Sequence, residues 1–142
     1  MNKFLFNYLS QLKKKFLNPE LELRILINNS SHKKNEIILS NFKIEDINFL
    51  KFDYFFKRRI NGEPISKIFN SKSFWKYDFF VTEDVLDPRP ETEIIIENVL
   101  EYFPDKNKSL KVLDMFTGSG CLAISLAKEY PKAKVSATDI SF

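Results

Sequence analysis

Leu110-Lys111-Val112-Leu113-Asp114-Met115-Phe116-Thr117-Gly118-Ser119-Gly120 is the stretch that decides the fold of this chain. Residues 110–114 form a short apolar run typical of a buried strand, and residues 117–120 carry the glycines of a tight turn. The pattern predicts a helix over residues 121–129 and a second strand over residues 134–139. Strand, helix and strand in this order predict a βαβ unit, and therefore an α/β fold with a parallel sheet.

The segment upstream of this unit predicts a β-hairpin and one further helix. Phe74-Trp75 and residues 79–81 are predicted as the two arms of the hairpin. The prolines of residues 87–90 exclude a helix there, because each proline pushes the preceding residue toward extended geometry. A helix over about residues 91–102 and a polar loop over residues 104–109 complete this segment.

The first 60 residues carry the pattern of four helices. Apolar side chains recur at i, i+3 and i+4 over the first 16 residues, which indicates one buried helical stripe. Asn18-Pro19 predicts the start of a second helix, because asparagine favours the N-cap and proline the first helical position. A short helix at about residues 36–39 and a longer one over about residues 44–60 follow, so we expect a small helical bundle.

The composition supports a folded chain and excludes several classes of protein. Of 142 residues, 44% are hydrophobic and 29% are charged, which is enough for a core and excludes wholesale disorder. No apolar run approaches the roughly 18 residues of a membrane span, and no secretory cleavage site is visible, so a cytoplasmic protein is expected. The single cysteine, Cys121, excludes a disulfide framework and a multi-cysteine zinc site; we expect a small buried thiol and no metal.

Charge is distributed unevenly along the sequence. Residues 1–80 hold 15 Lys and Arg against 8 Asp and Glu, whereas residues 81–142 hold 7 against 11. This split suggests a basic half that faces an anionic partner, but it is equally compatible with compositional drift in a lysine-rich sequence. A docking surface and a solvated helix face are therefore alternative interpretations of the basic residues Lys13, Lys14, Lys15, Lys33, Lys34, Arg58 and Arg59.

The turn at residues 117–120 has the features of a ligand site. Gly118 and Gly120 lack Cβ atoms, so the backbone can turn sharply and a ligand can lie against it, while the following helix offers free N–H groups. Asp139 lies at the end of the next strand, where a carboxylate can accept hydrogen bonds from both hydroxyls of a ribose. The alternative without a ligand is a glycine-bearing turn with Asp139 as an ordinary helix cap.

Two nucleoside cofactors compete for this turn. Residues 118–123 satisfy the dinucleotide fingerprint G-x-G-x-x-A, which is a weak signal when it stands alone. The carboxylate of Asp114 would repel a pyrophosphate, whereas it suits the ammonium and sulfonium groups of S-adenosylmethionine. We therefore favour S-adenosylmethionine over a dinucleotide.

Several motifs resemble those of known methyltransferases. Residues 112–120 resemble the first motif of class I S-adenosylmethionine-dependent methyltransferases. Phe74-Trp75 and residues 85–93 are similar to the segment that marks the N5-glutamine methyltransferases of peptide chain release factors. Three further stretches fall where that family has its helical N-terminal domain and the junction after it: residues 18–22, 58–59 and 62–64.

The resemblance implies a domain organisation, a cofactor and a set of binding residues. It places a helical release-factor-binding domain at residues 1–75, a hairpin and linker at residues 76–90, and the beginning of a Rossmann-like domain at residues 91–142. The implied cofactor is S-adenosylmethionine. Its implied binding residues are Asp114, Phe116, Thr117, Gly118, Ser119, Gly120 and Asp139, with Arg89, Glu91, Thr92 and Glu93 beside the cofactor. Plain helix capping is the alternative role for residues 88–93.

The resemblance also implies an activity, which is methyl transfer to the side-chain amide of a glutamine in class 1 peptide chain release factors. The implied protein is a monomer that binds neither membrane nor nucleic acid directly. The family's Asn-Pro-Pro-Tyr motif, which holds the substrate amide, is absent from this sequence. We therefore assign no catalytic residue and expect an N-terminal half that has no activity alone. The alternatives are a related methyltransferase with another amide or amine substrate, and an inactive fragment or release-factor-binding module.

Overall fold

The computed structural model describes residues 3–32 and 43–140. The chain divides into two compact units, Met1–Ile68 and Phe69–Phe142, and each is described by itself below. The helix expected at residues 36–39 lies outside the described residues. None of the helices within the described ranges has the length and apolar character that a membrane span requires.

Within its described residues, the first unit contains four helices and one short 3-10 turn. The turn covers Ile44–Asp46. The helices are α1 (Lys3–Lys13), α2 (Pro19–Ser30), α3 (Phe49–Ile60) and α4 (Ile65–Phe69). Proline stands at the first position of α2 and two glutamates lie in its first turn, as expected for a helix start.

The third helix begins later than the sequence pattern predicts. We expected it to run from about residue 44, but Ile47 is extended and pairs with Ser31 in an isolated bridge. Asn48 then starts the helix, because its side-chain oxygen accepts a hydrogen bond from the Lys51 N–H at 3.0 Å. The apolar periodicity continues across this cap, so periodicity alone could not locate it.

Apolar side chains from three helices form the core of the first unit. They are Leu5, Leu9 and Leu12 of α1, Leu23, Leu26 and Ile27 of α2, and Phe52 and Phe56 of α3. The ring of Tyr8 packs edge-on against Phe52 and Phe56, with centroids 5.0 and 4.7 Å apart. Aromatic residues of α3 therefore serve the bundle core, although Tyr54 lies at the surface.

Two arginines of the candidate docking surface serve the first unit's own structure. Arg58 donates a forked pair of hydrogen bonds to the Glu63 carboxylate, and Arg59 makes the same kind of pair with Glu22 at 2.7 and 2.8 Å. An arginine whose donors are consumed in this way is a poor anchor for an external anion. Lys13 and Lys14 remain exposed, whereas the Lys15 ammonium donates to the backbone carbonyl of Ile60.

The second unit opens with the expected hairpin, whose turn differs from the prediction. Strands β1 (Ser71–Phe74) and β2 (Tyr77–Phe80) are antiparallel, and Trp75 and Lys76 form a two-residue turn. We predicted Trp75 in the first arm. Its φ of 56° instead places it in the left-handed region, which suits tight hairpin turns. Its backbone N–H donates to Glu93 and its indole N–H to Glu129, and both bonds support this conformation.

The βαβ unit is present as predicted. After a 3-10 turn at Pro90–Thr92, the elements are α5 (Glu93–Tyr102), β3 (Lys111–Met115), α6 (Cys121–Glu129) and β4 (Lys134–Thr138). Strands β3 and β4 are parallel, with Asp114 opposite Ala137 and Met115 opposite Thr138. The chain therefore combines helices and strands, as an α/β class requires.

The core of the second unit lies between the helices, the hairpin and one face of the β3–β4 sheet. Its buried members are Phe74, Phe79, Ile96, Cys121, Leu126 and Tyr130, with Val112 packed against them. The Tyr130 hydroxyl lies 2.7 Å from the Phe103 carbonyl and 3.0 Å from that of Val99, so it binds the end of α5. Leu113 and Met115 on the other face of β3 are exposed.

Candidate functional site

The carboxyl ends of β3 and β4 meet at the glycine turn that leads into α6. The Thr117 N–H donates to the Thr138 carbonyl at 3.0 Å, which ties the turn to the last residue of β4. The Gly120 N–H donates to the Thr117 carbonyl at 2.9 Å and closes the turn on itself. The turn is therefore fixed to both strands, at the edge where open parallel sheets bind ligands.

The two glycines of the turn serve different purposes. Both have positive φ, at 55° for Gly118 and 75° for Gly120. A Cβ atom on Gly120 would come within 3.2 Å of the Ile124 side chain, which would have to shift by a few tenths of an ångström. A Cβ atom on Gly118 would meet no atom of the described residues within 4 Å, its two chain neighbours aside, so the space beside it is open to a ligand as far as the structure describes it.

Asp114 caps helix α6 from outside the helix. Its Oδ2 accepts hydrogen bonds from the Thr117 hydroxyl at 2.7 Å and from the Ala123 N–H at 3.2 Å. Ala123 lies in the first turn of α6, and the N-cap residue Gly120 has no side chain with which to cap it. Capping thus occupies one carboxylate oxygen, and within the described residues no hydrogen bond reaches Oδ1 of Asp114.

Asp139 lies against the same turn from the end of β4. Its Oδ2 accepts a hydrogen bond from the Gly118 N–H at 2.7 Å, and the residue is exposed. The structure thus brings this carboxylate and that of Asp114 to one turn. A carboxylate held by a backbone N–H is already oriented to accept further donors.

The segment at residues 89–93 makes different contacts from those of the turn. Glu93 accepts a hydrogen bond from the Trp75 N–H at 2.8 Å, so it binds the hairpin, and the Thr92 N–H donates to the Arg89 carbonyl. Arg89 and Glu91 are exposed. Within the described residues, no hydrogen bond or ion pair joins this segment to residues 116–120. Its place beside a cofactor remains a prediction.

Cys121 is the small buried thiol that the sequence predicts. It is the first residue of α6, and burial raises the pKa of its thiol. Such a thiol is a poor nucleophile at neutral pH. Across the described ranges, the His, Cys, Asp and Glu side chains form no group of three or more that could hold a metal ion.

Sequence reasoning missed a buried carboxylate at the end of α6. Glu129 is only 6% exposed and binds the Trp75 indole N–H at 2.9 Å together with the ammonium groups of Lys76 and Lys106. These donors, with Lys106 first, lower the pKa of its carboxyl to about 2. The partners lie 23 to 54 residues away in sequence, so no local pattern could reveal the contact.

Replacing Thr117 with valine should loosen the turn. The substitution keeps the shape of the side chain but removes the donor to Asp114, and we expect the free energy of unfolding to fall by about 1 kcal/mol. Chemical denaturation measures this change. Thr117→Ser retains the hydroxyl and serves as the control. A loss in Thr117→Ser with none in Thr117→Val would show that the methyl group, and not the hydrogen bond, stabilises the turn.

Comparison with known proteins gives consistent matches to methyltransferases. No protein-family model matches the chain. A release factor glutamine methyltransferase of Koribacter versatilis is 50% identical over 91 residues, covering 64% of this chain and 32% of that protein. One of Buchnera aphidicola is 37% identical over 131 residues, covering 91% and 47%. A bifunctional methyltransferase of Rickettsia bellii is 35% identical over 151 residues, covering 87% and 27%.

These matches indicate both a general class of enzyme and a more particular type within it. The chain is similar to methyltransferases over most of its length, and it spans between 27% and 47% of the length of the three relatives. More particularly, it resembles an N-terminal region of the release factor glutamine methyltransferase type, and the resemblance seen in its motifs is thereby confirmed.

Proposed function

We propose that this chain is the S-adenosylmethionine-binding part of a methyltransferase that acts on a glutamine side chain of peptide chain release factors. One observation carries the proposal: the carboxylates of Asp114 and Asp139, which lie at the carboxyl ends of two parallel strands, are both hydrogen-bonded to one glycine turn. The names of the relatives supply the methyl-transfer chemistry and the release factor as the methyl acceptor.

The arrangement suits the two ends of S-adenosylmethionine. Asp139 would accept hydrogen bonds from the ribose hydroxyls, because the Gly118 N–H orients its carboxylate at the carboxyl end of β4. Asp114 would offer Oδ1 to the ammonium and sulfonium charges, while Oδ2 stays bound to the protein. The open space beside Gly118 leaves room for the ligand between the two acids.

Methyl transfer to an amide needs more than cofactor binding. The amide nitrogen is a poor nucleophile, because its lone pair is delocalised into the carbonyl. The amide must be held in line with the methyl–sulfur bond, and hydrogen bonds must draw electron density onto the nitrogen. We assign no residue of this chain to that task. Its proposed contribution is to hold and orient the methyl donor.

The helical first unit is the proposed contact for the release factor. Lys13 at the end of α1 and Lys14 just after it are exposed and could meet acidic groups, whereas Arg58 and Arg59 are bound within the unit. A related methyltransferase that acts on another amide or amine is the second candidate. It stays a candidate because the name of the Rickettsia bellii relative, bifunctional methyltransferase, states no substrate.

Replacing Asp139 with alanine tests the proposed cofactor contact. We expect the binding free energy of S-adenosylmethionine to weaken by about 1–3 kcal/mol, because the ribose hydroxyls lose a charged acceptor. Gly118→Val should weaken binding more, since it adds a side chain to the open space at a φ of 55°. Calorimetric titration measures both effects.

The matched control for these variants is Asp84→Ala, which removes an exposed carboxylate from the same unit outside the turn. It should leave the affinity unchanged. If Asp139→Ala and Gly118→Val bind the ligand as tightly as the wild type, the turn is not the cofactor site.

A further inference from the structure

Lysines of the second unit gather at the edge of the β3–β4 sheet that lies opposite the glycine turn. Helix α6 connects two parallel strands, so it runs in the opposite direction and ends beside the amino ends of both strands. The loops that precede β3 and β4 reach the same edge. All six lysines that follow residue 80 lie on these segments and form what we call the lysine edge: Lys106, Lys108, Lys111, Lys128, Lys132 and Lys134.

The backbone holds these segments together. Lys111 and Lys134 are the first residues of their strands and lie directly opposite one another. The Ser109 hydroxyl lies 3.4 Å from the Lys132 carbonyl, which joins the two loops. All six lysines of the edge are exposed. Their positive charges therefore share one solvent-facing surface.

Local structure accounts for only part of this cluster. Lys128 lies in the last turn of α6, where a cation offsets the partial negative charge of the helix end, and Lys106 binds a buried carboxylate. Within the described residues, no ion pair joins Lys111, Lys132 or Lys134 to a carboxylate. Like charges on adjacent segments repel one another, so an anionic partner would stabilise the arrangement. The acidic groups on the same segments are Glu101, Asp105 and the buried Glu129.

Aromatic rings lie at the same edge. Tyr102 ends α5 and is 81% exposed, and Phe103, the C-cap residue, is 36% exposed. The Lys108 ammonium lies 4.6 Å from the centre of the Phe103 ring. Cations beside exposed rings are typical of surfaces that bind single-stranded nucleic acid, because the cations contact phosphates and the bases stack on the rings.

We propose that the lysine edge, together with Tyr102 and Phe103, binds single-stranded nucleic acid. The exposed rings favour this partner over an acidic protein, because they offer bases a stacking surface. The motif resemblance implied no direct contact with nucleic acid, and this surface predicts otherwise. The inference does not depend on the proposed cofactor site, since the two lie at opposite ends of β3 and β4.

Fluorescence anisotropy of a labelled oligouridylate of about 12 nucleotides, titrated with the intact chain at about 50 mM salt, tests the proposal. We expect micromolar affinity that weakens as salt is added. The double variant Lys111→Gln/Lys134→Gln should weaken binding about tenfold and reduce the salt slope by about 1.4, which is about 0.7 for each lost phosphate contact. The matched control is Lys43→Gln/Lys51→Gln, which removes two exposed lysines of the first unit and should bind as the wild type does.

Variants of Tyr102 test the stacking contact separately. Tyr102→Ala should weaken binding about fivefold or more, whereas Tyr102→Phe retains the ring and should bind within about twofold of the wild type. Because the altered side chains are exposed, thermal unfolding of every variant should match that of the wild type. Unchanged affinity in Tyr102→Ala would overturn the role of the rings.

Two competitors identify the class of partner. An oligothymidylate of equal length that competes as well as oligouridylate would support binding of any single strand, and weaker competition would identify RNA. Polyglutamate that competes as well as either strand would overturn the proposal in favour of an acidic protein. Equal losses in the two double variants, or no binding by the wild type at about 50 mM salt, would overturn it as well.

Discussion

Replacing Glu129 with glutamine should lower the free energy of unfolding by about 3 kcal/mol at neutral pH. The carboxylate is buried and binds two ammonium groups and the Trp75 indole N–H. Glutamine retains a carbonyl oxygen for one donor but carries no charge for Lys76 and Lys106. Chemical denaturation followed by the fluorescence of Trp75, the single tryptophan, measures the loss.

The pH dependence of stability provides a second measurement of the same interaction. The pKa of the Glu129 carboxyl is lowered to about 2 in the folded protein, whereas the unfolded chain has a value near 4.3. The stabilisation is therefore complete above about pH 5 and is lost as the pH falls toward about 2. Glu129→Gln should flatten this part of the profile.

The matched control is Glu97→Gln, because Glu97 is an exposed carboxylate of α5 in the same unit. It should change the stability by less than about 0.5 kcal/mol. Parallel pH profiles for the wild type and Glu129→Gln between pH 5 and 2 would contradict the assigned role of Glu129.

Replacing Arg59 with alanine should destabilise the first unit by about 3 kcal/mol. The guanidinium binds Glu22 through two hydrogen bonds, donates to the Glu63 carbonyl at 3.0 Å and lies 3.8 Å from the centre of the Phe16 ring. Its removal leaves the largely buried Glu22 carboxylate without its partner. Urea denaturation followed by circular dichroism measures the change.

Two further variants determine what Arg59 contributes. Arg59→Lys should recover only part of the stability, because an ammonium cannot reproduce the planar fork that matches a carboxylate. The control is Arg24→Ala, which removes an exposed arginine of α2 in the same unit. If Arg59→Ala is no less stable than Arg24→Ala, Arg59 is not a structural element of the bundle and is again a candidate for docking an anion.

The sequence predicted those helices and strands that are determined by residues close to one another in the chain. The βαβ unit follows from an apolar strand, a glycine turn and an amphipathic helix, all of which are visible within residues 110–139. The start of α3 and the turn of the hairpin were misplaced. The first depends on the pairing of Ile47 with Ser31, and the second on bonds from Trp75 to Glu93 and Glu129. Such contacts between distant segments leave no periodic signal in the sequence.

In the candidate site, too, some features follow from the local sequence and others depend on contacts between distant segments. The sequence pattern placed Asp139 at the end of the second strand, and its carboxylate contacts the glycine turn because parallel strands end at one edge of a sheet. The capping role of Asp114 could not be predicted, since it depends on the left-handed Gly120 leaving α6 without an N-cap side chain. The left-handed conformation of Phe116 is likewise imposed by hydrogen bonds of its neighbour to two strands.

The most direct test of the central claim is a titration of the isotope-labelled chain with S-adenosylmethionine, up to millimolar concentration, followed by amide NMR shifts. We expect saturable shifts at Gly118 and Asp139, where the ligand would approach, and their loss in Asp139→Ala. The absence of shifts at these amides, or shifts of equal size and affinity in Asp139→Ala, would show that the glycine turn does not bind S-adenosylmethionine.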